Sequence, residues 1–163
     1  MTENFKKITE QNSHHDDLEQ KSISELIDHL DFFVNCAGLS LVEDLESTSV
    51  AEIQKVIAVN LTGNILAAQA AYQLMLPQNA GHIINIGSTS SIKARAAEAI
   101  YCASKWGLRG FTESLRLAAR DHGIRVTGVY PGGMKSENFW QDYPENDISR
   151  YMPPETVAKH VIN

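Results

Sequence analysis

The sequence predicts an α/β fold built on a parallel sheet. Three observations carry this: the order strand, helix, strand, helix, strand; strands that are short apolar runs; and a turn motif of small residues ending each strand. The chain has 163 residues, enough for one domain with a core and too few for two ordinary ones. With 43% apolar and 21% charged residues it has globular composition, which excludes disorder, collagen-like repeats and coiled coil for the bulk of it. Its 14 Lys and Arg against 20 Asp and Glu give a net charge of -6, which disfavours nucleic acid as a partner. No apolar run approaches the roughly 18 residues of a membrane helix; the best candidate, Ile65 to Leu76, is broken by Gln69 and Gln73. The N-terminus lacks the apolar core of a signal peptide, and two cysteines, Cys36 and Cys102, without metal spacing suit a reducing, cytoplasmic setting.

Residues 1–21 are polar and read as a tail or as the remnant of a larger element; 22–163 read as the folded domain. Ser22 opens a helical pattern through Ile23, Leu26, Ile27 and Leu30, with Glu25 completing a capping box. Phe32-Phe33-Val34 is expected to be a strand apolar on both faces, ended by Asn35-Cys36-Ala37-Gly38. From Ser49 to about Gln78, Val50, Ile53, Ile57, Leu61 and Ile65 recur at helical steps, and Pro77 with Asn79-Ala80-Gly81 closes the helix. His82 to Ile86 is the second strand, followed by a polar loop, Gly87 to Ser91. A helix from about Glu98 to Asp121 ends at His122-Gly123, with glycine past the last turn. Ile124 to Tyr130 is the third strand, cut by Pro131-Gly132-Gly133. An aromatic-rich irregular stretch, 134–150, precedes a last helix opened by Pro153-Pro154-Glu155.

In parallel sheets ligands bind outside the carboxyl ends of the strands. Right-handed crossovers bring the three turn motifs to one edge, so a site is expected there. Tyr101 and Lys105, four residues apart, share a helix face. A free tyrosine has a pKa near ~10, and a nearby ammonium favours its phenolate, so Lys105 is expected to lower the Tyr101 pKa and make it a usable acid or base. Ser88, at the preceding strand end, is placed to hold the same substrate oxygen. Alone, a Tyr-x-x-x-Lys pair is weak evidence, and such pairs usually mark a solvated face; its company gives it weight. Asn60 shares a face with Ile53 and Ile57, where a satisfied core amide is the plain reading. Cys36 and Cys102 are expected to be small buried residues, and the six histidines show no ligand spacing.

Taken together, these motifs resemble the short-chain dehydrogenase/reductase family. Asn35-Cys36-Ala37-Gly38 is similar to its Asn-Asn-Ala-Gly turn, with cysteine in second place; Asn60 within Val59-Asn60-Leu61-Thr62-Gly63 matches its catalytic asparagine. Asn85-Ile86-Gly87-Ser88 matches the strand end bearing its serine, Tyr101-Cys102-Ala103-Ser104-Lys105 its Tyr-x-x-x-Lys, and Pro131-Gly132 with Ser136 its Pro-Gly turn, with serine where threonine is usual. The resemblance runs from about Asp17 to the C-terminus. It implies a Rossmann-like doubly wound parallel sheet, here incomplete, with the catalytic half present. It implies hydride transfer between NAD or NADP and a carbonyl/alcohol substrate. Tyr101 would be the general acid/base. Lys105 would lower its pKa and bind the nicotinamide ribose; Ser88 would hold the substrate oxygen. Asn60 would hold, through its backbone carbonyl, a water leading to Lys105. Asp17 and Leu18 would lie beside the adenine, and Asn35, Ala37, Gly38, Pro131, Gly132 and Ser136 would line the cofactor cleft. A homodimer or homotetramer through the two long helices would account for Gly107 and Gly110 inside the second of them; packing within the monomer is the alternative. Met134, Phe139, Trp140, Tyr143, Tyr151 and Met152 would form a lid suited to an apolar or mixed substrate; packing the loop down is the equal alternative.

The family's Thr-Gly-x-x-x-Gly-x-Gly turn, which cradles the pyrophosphate at a helix N-terminus, has no counterpart: no glycine precedes Gly38. The first strand, the next helix and the second strand are expected to be missing, as is the end of the domain after the last helix. Cofactor affinity is then expected to be weak or lost, the choice between NAD and NADP unreadable, and one sheet edge bare. A non-catalytic remnant that acts by pairing with a related subunit is the alternative reading.

Overall fold

A computed structural model describes residues 28–136, 140 and 147–162. Strand β1 (Phe32–Asn35) is followed by helix α1 (Val50–Ile57), a π-helical segment (Ala58–Gly63) and helix α2 (Asn64–Met75). Strand β2 (Gly81–Ile86), a 3-10 turn (Thr89–Ser91) and the long helix α3 (Ala99–Ala119) come next. A second 3-10 turn (Arg120–His122), strand β3 (Ile124–Val129) and helix α4 (Pro154–Ile162) complete the described chain. The predicted strands and the helix after Glu98 are all present. The expected helix at Ser22 and its capping box fall almost entirely outside the described residues.

The described sheet has the order β1-β2-β3, and both pairings are parallel. In register, Phe33, Ile83 and Val126 form one cross-strand row, and Asn35, Asn85 and Gly128 another on the same face. That face carries the core: Ile83 and Val126 pack with Ile124, Ala119 of α3 and Ala68, Ala71 and Met75 of α2. The alternate row, Phe32, His82 and Arg125, points the other way. There Phe32 is 60% exposed and Val34 47% exposed. This corrects the expectation that β1 is buried on both faces: among the described residues it borders only β2, and half its side chains have no cover.

Helix α1 starts where capping chemistry puts it. Glu52 N–H donates to the Ser49 hydroxyl at 3.2 Å, and Ser49 N–H donates to the Glu52 carboxylate at 2.9 Å. The single long helix expected from 49 to 78 is helical almost throughout, but six residues in its middle take the wider π turn, which periodicity of apolar residues does not reveal. Gly107 of α3 lies against that segment: a Cβ there would come within 2.9 Å of a Leu61 methyl. Close packing inside the monomer therefore accounts for Gly107. Gly110 is different, since a Cβ there would meet nothing within 4 Å.

Gly123 closes α3 in the left-handed region, at φ +65°, and a Cβ there would clash with the Asn79 carbonyl oxygen. Both the conformation and the contact demand glycine. Gly123→Ala is expected to destabilise the fold by ~1–3 kcal/mol, since it forces a left-handed alanine against backbone; urea unfolding of the two proteins measures this.

Candidate active site

Because all three strands run parallel, their carboxyl ends meet at one edge, as predicted. The loops leaving them are tied together by backbone bonds: Gly87 N–H to Val129 O at 2.7 Å, and Thr89 N–H to Pro131 O at 2.9 Å. Between these loops and the start of α3 lies a cleft of about 360 Å³. Its walls are Cys36, Gly38, Ser40 and Val42 after β1; Ile86 to Ser90 after β2; Pro131 to Met134, Ser136 and Trp140 after β3; and Arg95, Glu98, Tyr101 and Lys105.

Ser88, Tyr101 and Lys105 come together here. Ser88 caps the 3-10 turn, its hydroxyl accepting from Ser90 N–H at 3.1 Å. Tyr101 and Lys105 stand one turn apart on α3, with the Lys105 Nζ 5.8 Å from the centre of the Tyr101 ring. Both are buried, Lys105 at 4% exposure. Burial pushes the Tyr101 phenol above the usual tyrosine range; a hydrogen bond with Ser88 works against this, as does the more distant Arg95. Burial is the largest influence on the phenol in this site. Burial also holds the Lys105 ammonium below the usual lysine range. Its one hydrogen bond among the described residues is a long one, 3.4 Å to Ile86 O. An ammonium has three protons to give, so Lys105 has donors to spare toward the cleft.

Asn60 sits in the π-helical segment, fully buried and behind the cleft rather than in its wall. Its amide is engaged on both sides: Oδ1 accepts from Leu39 N–H at 2.7 Å, and Nδ2 donates to Leu39 O at 2.9 Å and Ser104 Oγ at 3.2 Å. The side chain thereby clamps the loop after β1. Gly38 is where the clamp meets the lysine, since a Cβ at Gly38 would lie 3.3 Å from Lys105 Nζ and 3.6 Å from Asn60 Oδ1.

Of the other predicted site residues, Gly38, Pro131, Gly132 and Ser136 line the cleft. Asn35 and Ala37 do not; they hold the turn. Asn35 Nδ2 donates to Asn64 O at 2.9 Å and Asn85 Oδ1 at 3.2 Å, and Ala37 O accepts from Asn64 Nδ2 at 3.1 Å. Asp17, Leu18, Phe139 and Tyr143 lie outside the described residues. Cys102 is buried as expected, whereas Cys36 is exposed and faces the cleft. In the segment after Pro131, the Trp140 indole donates to Met134 O at 2.7 Å and its ring lies 5.3 Å from that of Tyr151.

Sequence reasoning missed two sets of residues. The buried amides of Asn64 and Asn85, with Thr112 and Ser104, complete the polar support. Asn64, one helical turn after Asn60, was the available signal. The second set is Arg95 and Glu98, in the cleft wall on the loop leading into α3.

A parallel α/β sheet with a serine, a tyrosine and a lysine at its carboxyl edge defines a Rossmann-like protein. Residues 7–147 match the short chain dehydrogenase family, and the chain belongs to it. It is 34% identical over 148 residues to carbonyl reductase family member 4 of Xenopus laevis, covering 87% of this chain and 62% of that protein. It is 34% identical over 140 residues to sepiapterin reductase of Chlorobaculum tepidum, covering 86% of this chain and 57% of that one. The structure resembles that of ElxO with NADP bound, with a TM-score of 0.77 and 26% identity over 85% of this chain and 61% of the other. The chain thus spans about three-fifths of the length of these relatives.

A nicotinamide nucleoside fits the residues present. Lys105 has spare donors at the cleft floor, and the missing side chain at Gly38 leaves the approach to them open. No described residues form a glycine-rich cradle for a pyrophosphate.

A pH titration followed by phenolate absorbance tests the Tyr101 environment. The wild-type chain is expected to show phenol ionising above the ordinary ~10 of free tyrosine. Tyr101→Phe is expected to remove part of that late-titrating absorbance; loss instead from the ordinary range contradicts the burial argument.

Proposed function

We propose that this chain carries the catalytic part of a nicotinamide-dependent oxidoreductase acting on a carbonyl/alcohol pair, with NAD or NADP as cofactor. One observation carries the reading: a Ser88 hydroxyl on the Tyr101 phenol, beside a buried Lys105, at the carboxyl edge of a parallel sheet. The names of the relatives, a carbonyl reductase among them, and the NADP bound by ElxO support it.

When bound, the nicotinamide supplies or accepts the hydride. Ser88 holds the carbonyl oxygen by donating its hydroxyl proton in a hydrogen bond. Tyr101, protonated at neutral pH, gives its proton to that oxygen as it gains charge in reduction and takes it back in oxidation. Lys105 holds the ribose hydroxyls and faces the phenolate that remains. The Asn60 side chain is fully engaged, so its part falls to its backbone carbonyl, which holds a water toward Lys105. Gly38, Pro131, Gly132 and Ser136 line the cofactor side. Asp17 and Leu18 are assigned to the adenine end by family resemblance alone. The assembly is a homodimer or homotetramer through α2 and α3, with Gly110 offering an open approach on α3. The setting is cytoplasmic; no described helix is long and apolar enough to cross a membrane, and both cysteines are free. The exposed Phe32 and Val34 favour a second reading, in which the chain works by pairing with a related subunit.

Titration with NADH and NADPH, followed by nicotinamide fluorescence, decides between the two. Saturable binding at micromolar to low millimolar concentration supports the enzyme, and no binding to folded protein supports the pairing subunit. Where turnover is seen, Tyr101→Phe is expected to abolish it, and near-full rate in that variant rejects the mechanism. Carbonyl reduction is expected to hold level through neutral pH and to fall only where the raised Tyr101 phenol ionises, above the ordinary ~10. A decline setting in below neutrality contradicts the assignment. Sedimentation as a monomer at micromolar concentration rejects the oligomer.

A further inference from the structure

We propose that Arg95 is the specificity-determining residue of the cleft, selecting carbonyl substrates that carry an anionic group on an apolar body. This rests on the carbonyl chemistry proposed for Ser88 and Tyr101 and names the substrate class of that same site.

The argument begins with position. Arg95 lies in the cleft wall, and its Nη2 donates to Thr89 Oγ1 at 3.0 Å. Thr89 directly follows Ser88, and consecutive Cα atoms are ~3.8 Å apart, so the guanidinium is anchored one residue from the hydroxyl that holds the reacting oxygen. Its other described partner is weak: Nε lies 4.0 Å from Glu98 Oε2, beyond hydrogen-bond reach. A guanidinium carries five N–H donors in a planar fork suited to carboxylate or phosphate. With its side chain 48% exposed, Arg95 retains donors that a ligand in the cleft can reach.

The neighbouring carboxylate is differently placed. Glu98 is only 18% exposed at its side chain and accepts from Ser90 Oγ at 3.0 Å. The acid is thus covered and occupied while the cation is open, so the pair presents positive charge to the cleft. A cationic substrate would meet the guanidinium first. Val42, Met134 and Trp140 supply apolar surface elsewhere in the same cleft. A ligand that satisfies both has a charged end a few atoms from its carbonyl and an apolar remainder; a 2-oxo acid with an aryl or alkyl chain has this form. The Arg95 charge also favours phenolate at Tyr101, and so assists proton donation to the substrate.

The test compares 2-oxo-4-phenylbutanoate with its neutral ethyl ester, binding to the full chain by calorimetry with no turnover required. The acid is expected to bind about tenfold more tightly than the ester, and Arg95→Gln to remove that difference. Arg95→Lys is expected to keep part of it, and added salt to shrink it. Glu98→Gln, which leaves Arg95 without a counter-charge, is expected to strengthen acid binding. Thermal melts confirm that each variant is folded. Equal binding of acid and ester, binding of neither, or a preference that survives Arg95→Gln overturns the proposal. Turnover is scored separately: an Arg95-dependent acid preference without nicotinamide-linked reduction upholds the anion subsite and rejects the hydride-transfer reading.

Discussion

The structure depends on how its parallel strands end. Each strand that stops at the carboxyl edge leaves backbone carbonyls and N–H groups without ladder partners. Buried groups of that kind must be satisfied. Here four asparagine amides do much of the work. Asn35 reaches Asn64 O, Asn64 reaches Ala37 O and Val59 O, and Asn60 closes both sides of Leu39. Asn85 joins the first of these to Thr112 of α3. The chain leaving β1 is thereby bonded to the π-helical segment and, through Ser104, to α3. Because each amide has several partners, loss of one strands the others in a low-dielectric interior.

That network explains the position of Tyr101 and Lys105. Ser104 bonds Asn60 and also its own helix, at Tyr101 O, and lies between Tyr101 and Lys105 in sequence. The same amides therefore fix the helix turn that carries both residues and the loop that carries Gly38. A lysine is almost never fully buried unless something needs it there. Lys105 is held in place by the packing of α3, although burial disfavours its charge. Tyr101 meets the same opposition. The low dielectric that raises the phenol also strengthens whatever charge interactions form when a substrate excludes the remaining water.

Elements with a strong local signal were legible in the sequence. The strands at 82–86 and 124–129 are short segments rich in β-branched residues between glycine-bearing turns, apolar residues recur at helical steps from Ser49, and Gly123 fixes a helix end. The clustering of Ser88, Tyr101 and Lys105 followed from parallel topology, which sends every strand end to one edge. What escaped was set by tertiary context. One π turn leaves the four-residue steps Ile57, Leu61 and Ile65 readable as α-helix, so Ala58–Gly63 gave no sign of itself. Exposure of Phe32 and Val34 depends on which elements flank β1, which no run of three apolar residues encodes. The phenol shift of Tyr101 is a balance between burial and neighbours, and the Tyr-x-x-x-Lys spacing reports only one neighbour. Arg95 sits in a loop without periodicity, where position comes from its bond to Thr89 rather than from any pattern.

The bonds that shape the site also bear on how Ser88, Tyr101 and Lys105 are held in a chain that covers about three-fifths of its relatives. Every hydrogen bond in the asparagine network joins residues between Asn35 and Thr112. The bond from Thr89 to Pro131 then adds the third strand end. None of these contacts runs through the outer face of β1, where Phe32 and Val34 are uncovered. Interactions with no shared partners act nearly independently. Whatever packs on that face, or fails to, changes the stability of the sheet edge far more than the spacing of Ser88, Tyr101 and Lys105. The placement of Ser88, Tyr101 and Lys105 is therefore built into the strand ends themselves and does not depend on what covers the outer face of β1.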